Sequence, residues 1–77
     1  MVRIEKMEVT DKVARYMYFP ENSEKSGIVA LNRDTGEWAV EKRLEEYGTS
    51  YISHALHRLE EFQKNGKFRK KDVIAWY

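Results

Sequence analysis

The sequence predicts an α+β domain: an antiparallel four-stranded meander packed by one C-terminal amphipathic helix (ββββα), with a short docked C-terminal segment. Three observations carry this reading. Four short runs of β-prone residues, separated by polar turns, fill the first half of the chain. From Ser50 the apolar period changes from two to that of a helix, and the chain finishes on an apolar run. With 77 residues there is room for one domain, spanning 1–77, because two would each be too small to sustain a core.

The first strand is expected over Val2 to Val9. Val2 and Ile4 share one phase while Met7 and Val9 share the other, so a bulge near Glu5-Lys6 is needed to reconcile them. Thr10-Asp11-Lys12 is a polar turn, and Val13 to Phe19 is a second strand that Pro20 ends, since proline donates no ladder hydrogen bond. Residues 20–27 form a loop, and Ile28-Val29-Ala30-Leu31 is an apolar third strand. In Asn32-Arg33-Asp34-Thr35-Gly36, a type I turn with Gly36 left-handed predicts a G1-bulge hairpin. The fourth strand returns over Glu37 to Lys42.

Ile52, Ala55, Leu56, Leu59 and Phe62 stand at i, i+3, i+4, i+7 and i+10, one face of a helix. Thr49 or Ser50 is placed to cap its start, and Asn65-Gly66 to end it in a left-handed turn. Glu60 precedes Lys64 by four residues, the favourable order for a helical ion pair. The tail, with Val73-Ile74-Ala75-Trp76-Tyr77, is expected to dock as a fifth element, either a strand or a helical turn.

Composition removes several function classes. At 42% hydrophobic and 13% aromatic the chain is too apolar for a disordered tail, and no run approaches the ~20 apolar residues of a membrane helix. The first residues lack the basic-then-apolar order of a signal peptide, so a cytoplasmic setting is expected. The absence of cysteine excludes a disulfide framework, a zinc–thiolate site and a cysteine nucleophile. A fold of this size buries only about 60% of its unfolded surface and has little space for a pocket beside its core. No small-molecule substrate, cofactor or catalytic residue is expected.

The residue groupings that suggest chemistry have simpler explanations. His54 and His57, with Glu61 four residues on, outline a metal face, but their positions read as a solvated helix surface with a weak His57–Glu61 pair. The adjacent carboxylates Glu45-Glu46 and Glu60-Glu61 do not face one another, and the four glycines are isolated rather than gathered in a phosphate loop. No metal site is expected.

Two features point to partners. Trp38 and Val40 lie on one face of the fourth strand and are the expected partners of Ile52, Leu56 and Leu59. The second strand is apolar in both phases, with Val13, Met17 and Phe19 on one side and Ala14, Tyr16 and Tyr18 on the other. A single helix covers one sheet face, so the reading leaves a second face around Tyr16, Tyr18 and either Val29 or Leu31 needing cover. The tail, a second copy or an external partner would supply it. The expected function is thus a non-catalytic protein-interaction module, self-associating through an interface that contains Tyr16, Tyr18 and Trp76. The alternative starts from charge: the last fourteen residues carry +4 and the rest −3. Lys67, Arg69, Lys70 and Lys71 would contact phosphates of a single-stranded nucleic acid while Tyr16 and Tyr18 stack on its bases.

Overall fold

A computed structural model describes residues 1–76, so the expectation for Tyr77 lies outside the described residues. The chain runs β1 (Val2–Val9), β2 (Val13–Pro20), β3 (Gly27–Asn32), β4 (Trp38–Lys42), α1 (Thr49–Asn65) and β5 (Lys71–Ile74). All strand pairs are antiparallel, in the order β4-β3-β2-β1-β5. The four-stranded meander and its C-terminal helix are as expected. The docked tail is a strand, pairing Val2 with Ile74 and Glu5 with Lys71 on the far edge of β1.

Local chemistry accounts for each turn. The β1–β2 register shifts between Lys6 and Glu8, the bulge that the change of apolar phase requires. At the next turn the Thr10 hydroxyl accepts the N–H groups of Lys12 and Val13, each at 3.2 Å. Gly36 has φ 79° and donates its N–H to the Asn32 carbonyl at 2.8 Å, as the G1-bulge hairpin demands. The Asn32 side chain tightens the same turn by accepting from the backbone of Asp34 and Thr35. Gly66, with φ 71°, closes the helix, while Lys67 N–H returns to the Phe62 carbonyl. The N-terminus differs from expectation: Gly48 is the cap residue and no side chain caps the helix, so neither Thr49 nor Ser50 does so.

The core lies between α1 and one sheet face. Residues opposite each other in a sheet share a face, and the register joins Ile4 to Tyr18, Tyr16 to Val29, and Val29 to Val40. That face carries Val2, Ile4, Ala14, Tyr16, Tyr18, Val29, Leu31 and Ile74, all buried with Ile52, Ala55, Leu56, Leu59 and Phe62 of the helix. Tyr16 and Tyr18 are therefore core residues, 0% and 1% exposed, and not the uncovered surface that the sequence suggested. Their hydroxyls reach the core margin, where Tyr16 donates to the Arg69 carbonyl and Tyr18 accepts the Leu44 N–H at 3.1 Å. A phenol suits this position because its ring packs while its oxygen finds a backbone partner.

The opposite face carries Arg3, Glu5, Arg15, Met17, Phe19 and Ile28 in matching register. Its apolar residues lie under a lattice of long side chains. Arg3 stands 4.8 Å over the Phe19 ring, and Arg15 donates to both oxygens of Glu41 at 2.9 Å and to Glu8. Such side chains cover apolar surface with their stems and keep their charges in water.

Candidate functional site

The helix is too narrow for the sheet. Five strands spaced about 4.8 Å apart span roughly 19 Å, whereas a helix with its side chains is about 10 Å across. α1 lies over β1, β2, β3 and β5 and leaves β4 at the margin. Every residue of β4 is exposed. Trp38 and Val40 point to the helix side through their partners Leu31 and Val29, yet they remain 40% and 37% exposed. The expectation that they pack on Ile52, Leu56 and Leu59 is corrected: those helix residues meet β1–β3, and Trp38 meets the polar flank of α1. Its indole N–H donates to Glu60 Oε2 at 3.0 Å, and its ring lies 4.9 Å from His57, edge to face.

This contact also reorders the expected helix pairs. His57 Nδ1 lies 3.2 Å from Glu60 Oε1, so its partner is Glu60 rather than Glu61. Glu60 serves Trp38 and His57, and no Glu60–Lys64 pair forms among the described residues. Trp38 is thereby held in one orientation, a large apolar ring beside a strand edge with its polar atom already satisfied.

The edge itself offers backbone partners. Asn32 N–H donates to the Glu37 carbonyl at 2.9 Å, and the register continues through Leu31–Trp38, Ala30–Ala39 and Val29–Val40. Hydrogen-bonded and non-bonded pairs alternate in an antiparallel ladder. Ala39 therefore bonds inward to β3, while the N–H and C=O of Trp38 and Val40 face outward. The opposite edge is shorter: β5 has four residues, opens with Lys71 and follows Lys70, the kind of lysine-flanked edge that resists pairing.

The other residues singled out from the sequence are dispersed. Trp76 is half-buried, stacked on His54 at 3.9 Å and edge-on to Tyr51 at 5.4 Å, so the tail's own fold uses much of its surface. It lies at the helix and apart from the expected Tyr16–Tyr18 surface. Lys67, Arg69, Lys70 and Lys71 are exposed around the end of α1 and the start of β5. Arg69 lies 3.9 Å from Asp72, which also receives Arg58. The two tyrosines assigned to stacking are buried beneath α1, which corrects that half of the nucleic-acid expectation.

Among the described residues no group of three or more His, Cys, Asp or Glu side chains could hold a metal ion. No helix among them is long and apolar enough to cross a membrane. A groove of about 420 Å³ runs along β1 and β5, lined by Arg3, Glu5, Arg69, Lys71, Asp72 and Val73 among others. Two of its charges have structural work: Arg3 donates to the Ser23 carbonyl at 2.9 Å and Asp72 receives Arg58. No protein-family model, curated protein or solved structure matches this chain significantly.

Trp38 and Val40 were legible as apolar strand residues. What the sequence reading missed is that the helix stops short of them. The signal available was width: one helix set against more strands than it can cover.

Proposed function

We propose that this protein is a non-catalytic protein-interaction module of the cytoplasm that associates with itself, and that its contact surface is the β4 margin. The observation that carries the reading is the pairing of an open strand edge with two apolar side chains, Trp38 and Val40, exposed beside it. An oriented aromatic residue next to unpaired backbone groups is the usual anchor of a strand-mediated contact. The charged lattice over Met17 and Phe19 makes the open sheet face a poorer contact surface, because docking there would break the Arg15–Glu41 and Arg15–Glu8 pairs.

Sedimentation equilibrium over micromolar to high-micromolar protein, at low and elevated salt, tests the reading. The expected result is a mass that rises from one chain toward two and persists in salt, since an apolar and hydrogen-bonded contact is weakly screened. A single-chain mass at several hundred micromolar would end it. A titration with single-stranded RNA addresses the alternative. Four phosphate contacts would give a log–log salt slope of roughly −3, with shifts confined to Lys67, Arg69, Lys70 and Lys71.

A further inference from the structure

Cations from three separate segments of the chain meet around Phe68. Lys6 of β1 extends its ammonium to the Phe68 carbonyl at 3.3 Å, and the Arg33 guanidinium lies 4.9 Å from the centre of the Phe68 ring. Lys67, Arg69 and Lys70 flank Phe68 along the chain and are exposed. We infer that these side chains form a phosphate-binding surface for the backbone of a nucleic-acid duplex, contacted without reading its bases. The surface lies beside β1 and β5, on the far side of the sheet from β4, and is independent of the self-association proposed above.

A lysine pair across two strands carries the argument. Lys6 N–H donates to the Lys70 carbonyl at 2.8 Å, which extends the β1–β5 ladder by one pair beyond Glu5 and Lys71. Lys6 and Lys70 therefore stand directly opposite, and like charges in that relation are destabilising. Glu5 faces Lys71, but no carboxylate pairs with Lys6 or Lys70 among the described residues. Both lysines and Lys71 line one groove of about 330 Å³, whose other charges are Glu5 and Glu8, the latter already held by Arg15. Protection of an exposed edge explains lysines at β5, and the helix dipole explains Lys67 just past the end of α1. Neither explains Lys6, because β1 is paired on both sides. An anion between the two ammonium groups removes their repulsion.

Packing selects the kind of anion. Tyr16 donates to the Arg69 carbonyl and Lys67 N–H to the Phe62 carbonyl at 3.1 Å, so the segment is already held in place and loses little freedom on binding. Phe68 has little surface left for a base, since its ring meets Phe62 edge to face at 6.0 Å and lies beneath Arg33. Tyr16 and Tyr18 are buried and Trp76 is stacked on His54, so no aromatic ring stands free beside the cations. Single-strand binding relies on such rings, whereas a duplex keeps its bases stacked and offers a dense row of phosphates. Arg33 keeps its bonds to Gln63 and Thr10 and adds field rather than a contact.

Fluorescence anisotropy of the full chain with a short mixed-sequence DNA duplex tests the surface. Phosphate contacts from Lys6, Lys67, Arg69 and Lys70 give a log–log salt slope of roughly −3.6, a loss of about a hundredfold between about 50 and 200 mM salt. Lys6→Gln and Lys70→Gln, both at exposed positions, should each weaken binding and reduce the slope by about one. Lys25→Gln, in the loop at the other end of the sheet, makes the same change in net charge and should leave the slope as it is. A single strand of the same length is expected to bind more weakly than the duplex. Absence of duplex binding at about 50 mM salt overturns the inference. An equal loss in Lys25→Gln and Lys6→Gln overturns it too, because binding would then follow net charge alone. Preference for the single strand, or binding to phosphatidylserine vesicles in place of the duplex, assigns the cations to a different partner and also overturns it. None of these outcomes touches the self-association, which sedimentation decides separately.

Discussion

Two tyrosines show how burial converts a surface-looking residue into a structural one. The Tyr16 ring has no exposed surface, and burial, with a smaller contribution from Asp72, raises its hydroxyl pKa from 10.0 to about 12. In the unfolded chain the phenol ionises near its ordinary value, so between pH 10 and pH 12 unfolding releases a proton that the folded state retains. Stability is therefore complete below pH 10 and falls as pH rises toward 12, by roughly 2 to 3 kcal/mol if this group acts alone. Tyr16→Phe should flatten that alkaline limb in urea titrations, at a cost of about 1 kcal/mol at neutral pH for the lost bond to Arg69. Tyr18 sets a different constraint. A Cβ on Gly27 would meet its ring at 2.2 Å and the Lys42 carbonyl at 2.6 Å, and the backbone contact cannot swing aside. Gly27→Ala should lower stability by about 2 kcal/mol or more, visible as a reduced urea midpoint.

At the scale of elements, the helix and the last strand depend on one pair. Arg58 of α1 donates to Asp72 of β5, and Asp72 is 14% exposed, so the pair ties the tail to the layer above it. Asp72 also accepts the Val73 N–H at 2.9 Å. Replacing Asp72 by Ala leaves Arg58 half-buried with only Glu61, 3.6 Å away. A loss of about 1 to 3 kcal/mol is expected, with the β5 amides exchanging faster than those of β2. If β5 and β2 lose protection equally, the pair supports the whole fold instead of the tail.

The whole molecule is governed by a mismatch of widths, one helix on five strands. It predicts that apolar residues divide by position. Leu56→Ala, under the centre of the helix, should cost about 2 to 5 kcal/mol, whereas Trp38→Ala should change monomer stability by less than about 1 kcal/mol despite the larger side chain removed. Thermal and urea unfolding at low protein concentration, where only monomer is present, make the comparison. A Trp38→Ala loss as large as that of Leu56→Ala would mean that the indole belongs to the core after all. The charge asymmetry between the basic C-terminal segment and the rest shapes solubility and encounter more than the fold.

Much of this architecture could be read from residues alone. Apolar spacing located α1, the phase change between Ile4 and Met7 located the bulge, and Gly36 and Gly66 marked the positions where a left-handed backbone was needed. The apolar tail announced that it would dock. What the sequence could not decide was which phase of β2 faces inward, because alternation defines two faces without saying which one the helix covers. The clue was faint: Arg3, Glu5 and Arg15 share the open phase, while Lys6, opposite Tyr16 beside the bulge, is the one charge in the phase of Val2, Ile4, Ala14, Tyr16 and Tyr18. Only the cross-strand register linked these residues to Val29 and Leu31, and only the three-dimensional width of the sheet left Trp38 and Val40 outside the core. Local periodicity is a property of neighbours along the chain, but cover and exposure depend on distances between elements, and those are set by packing.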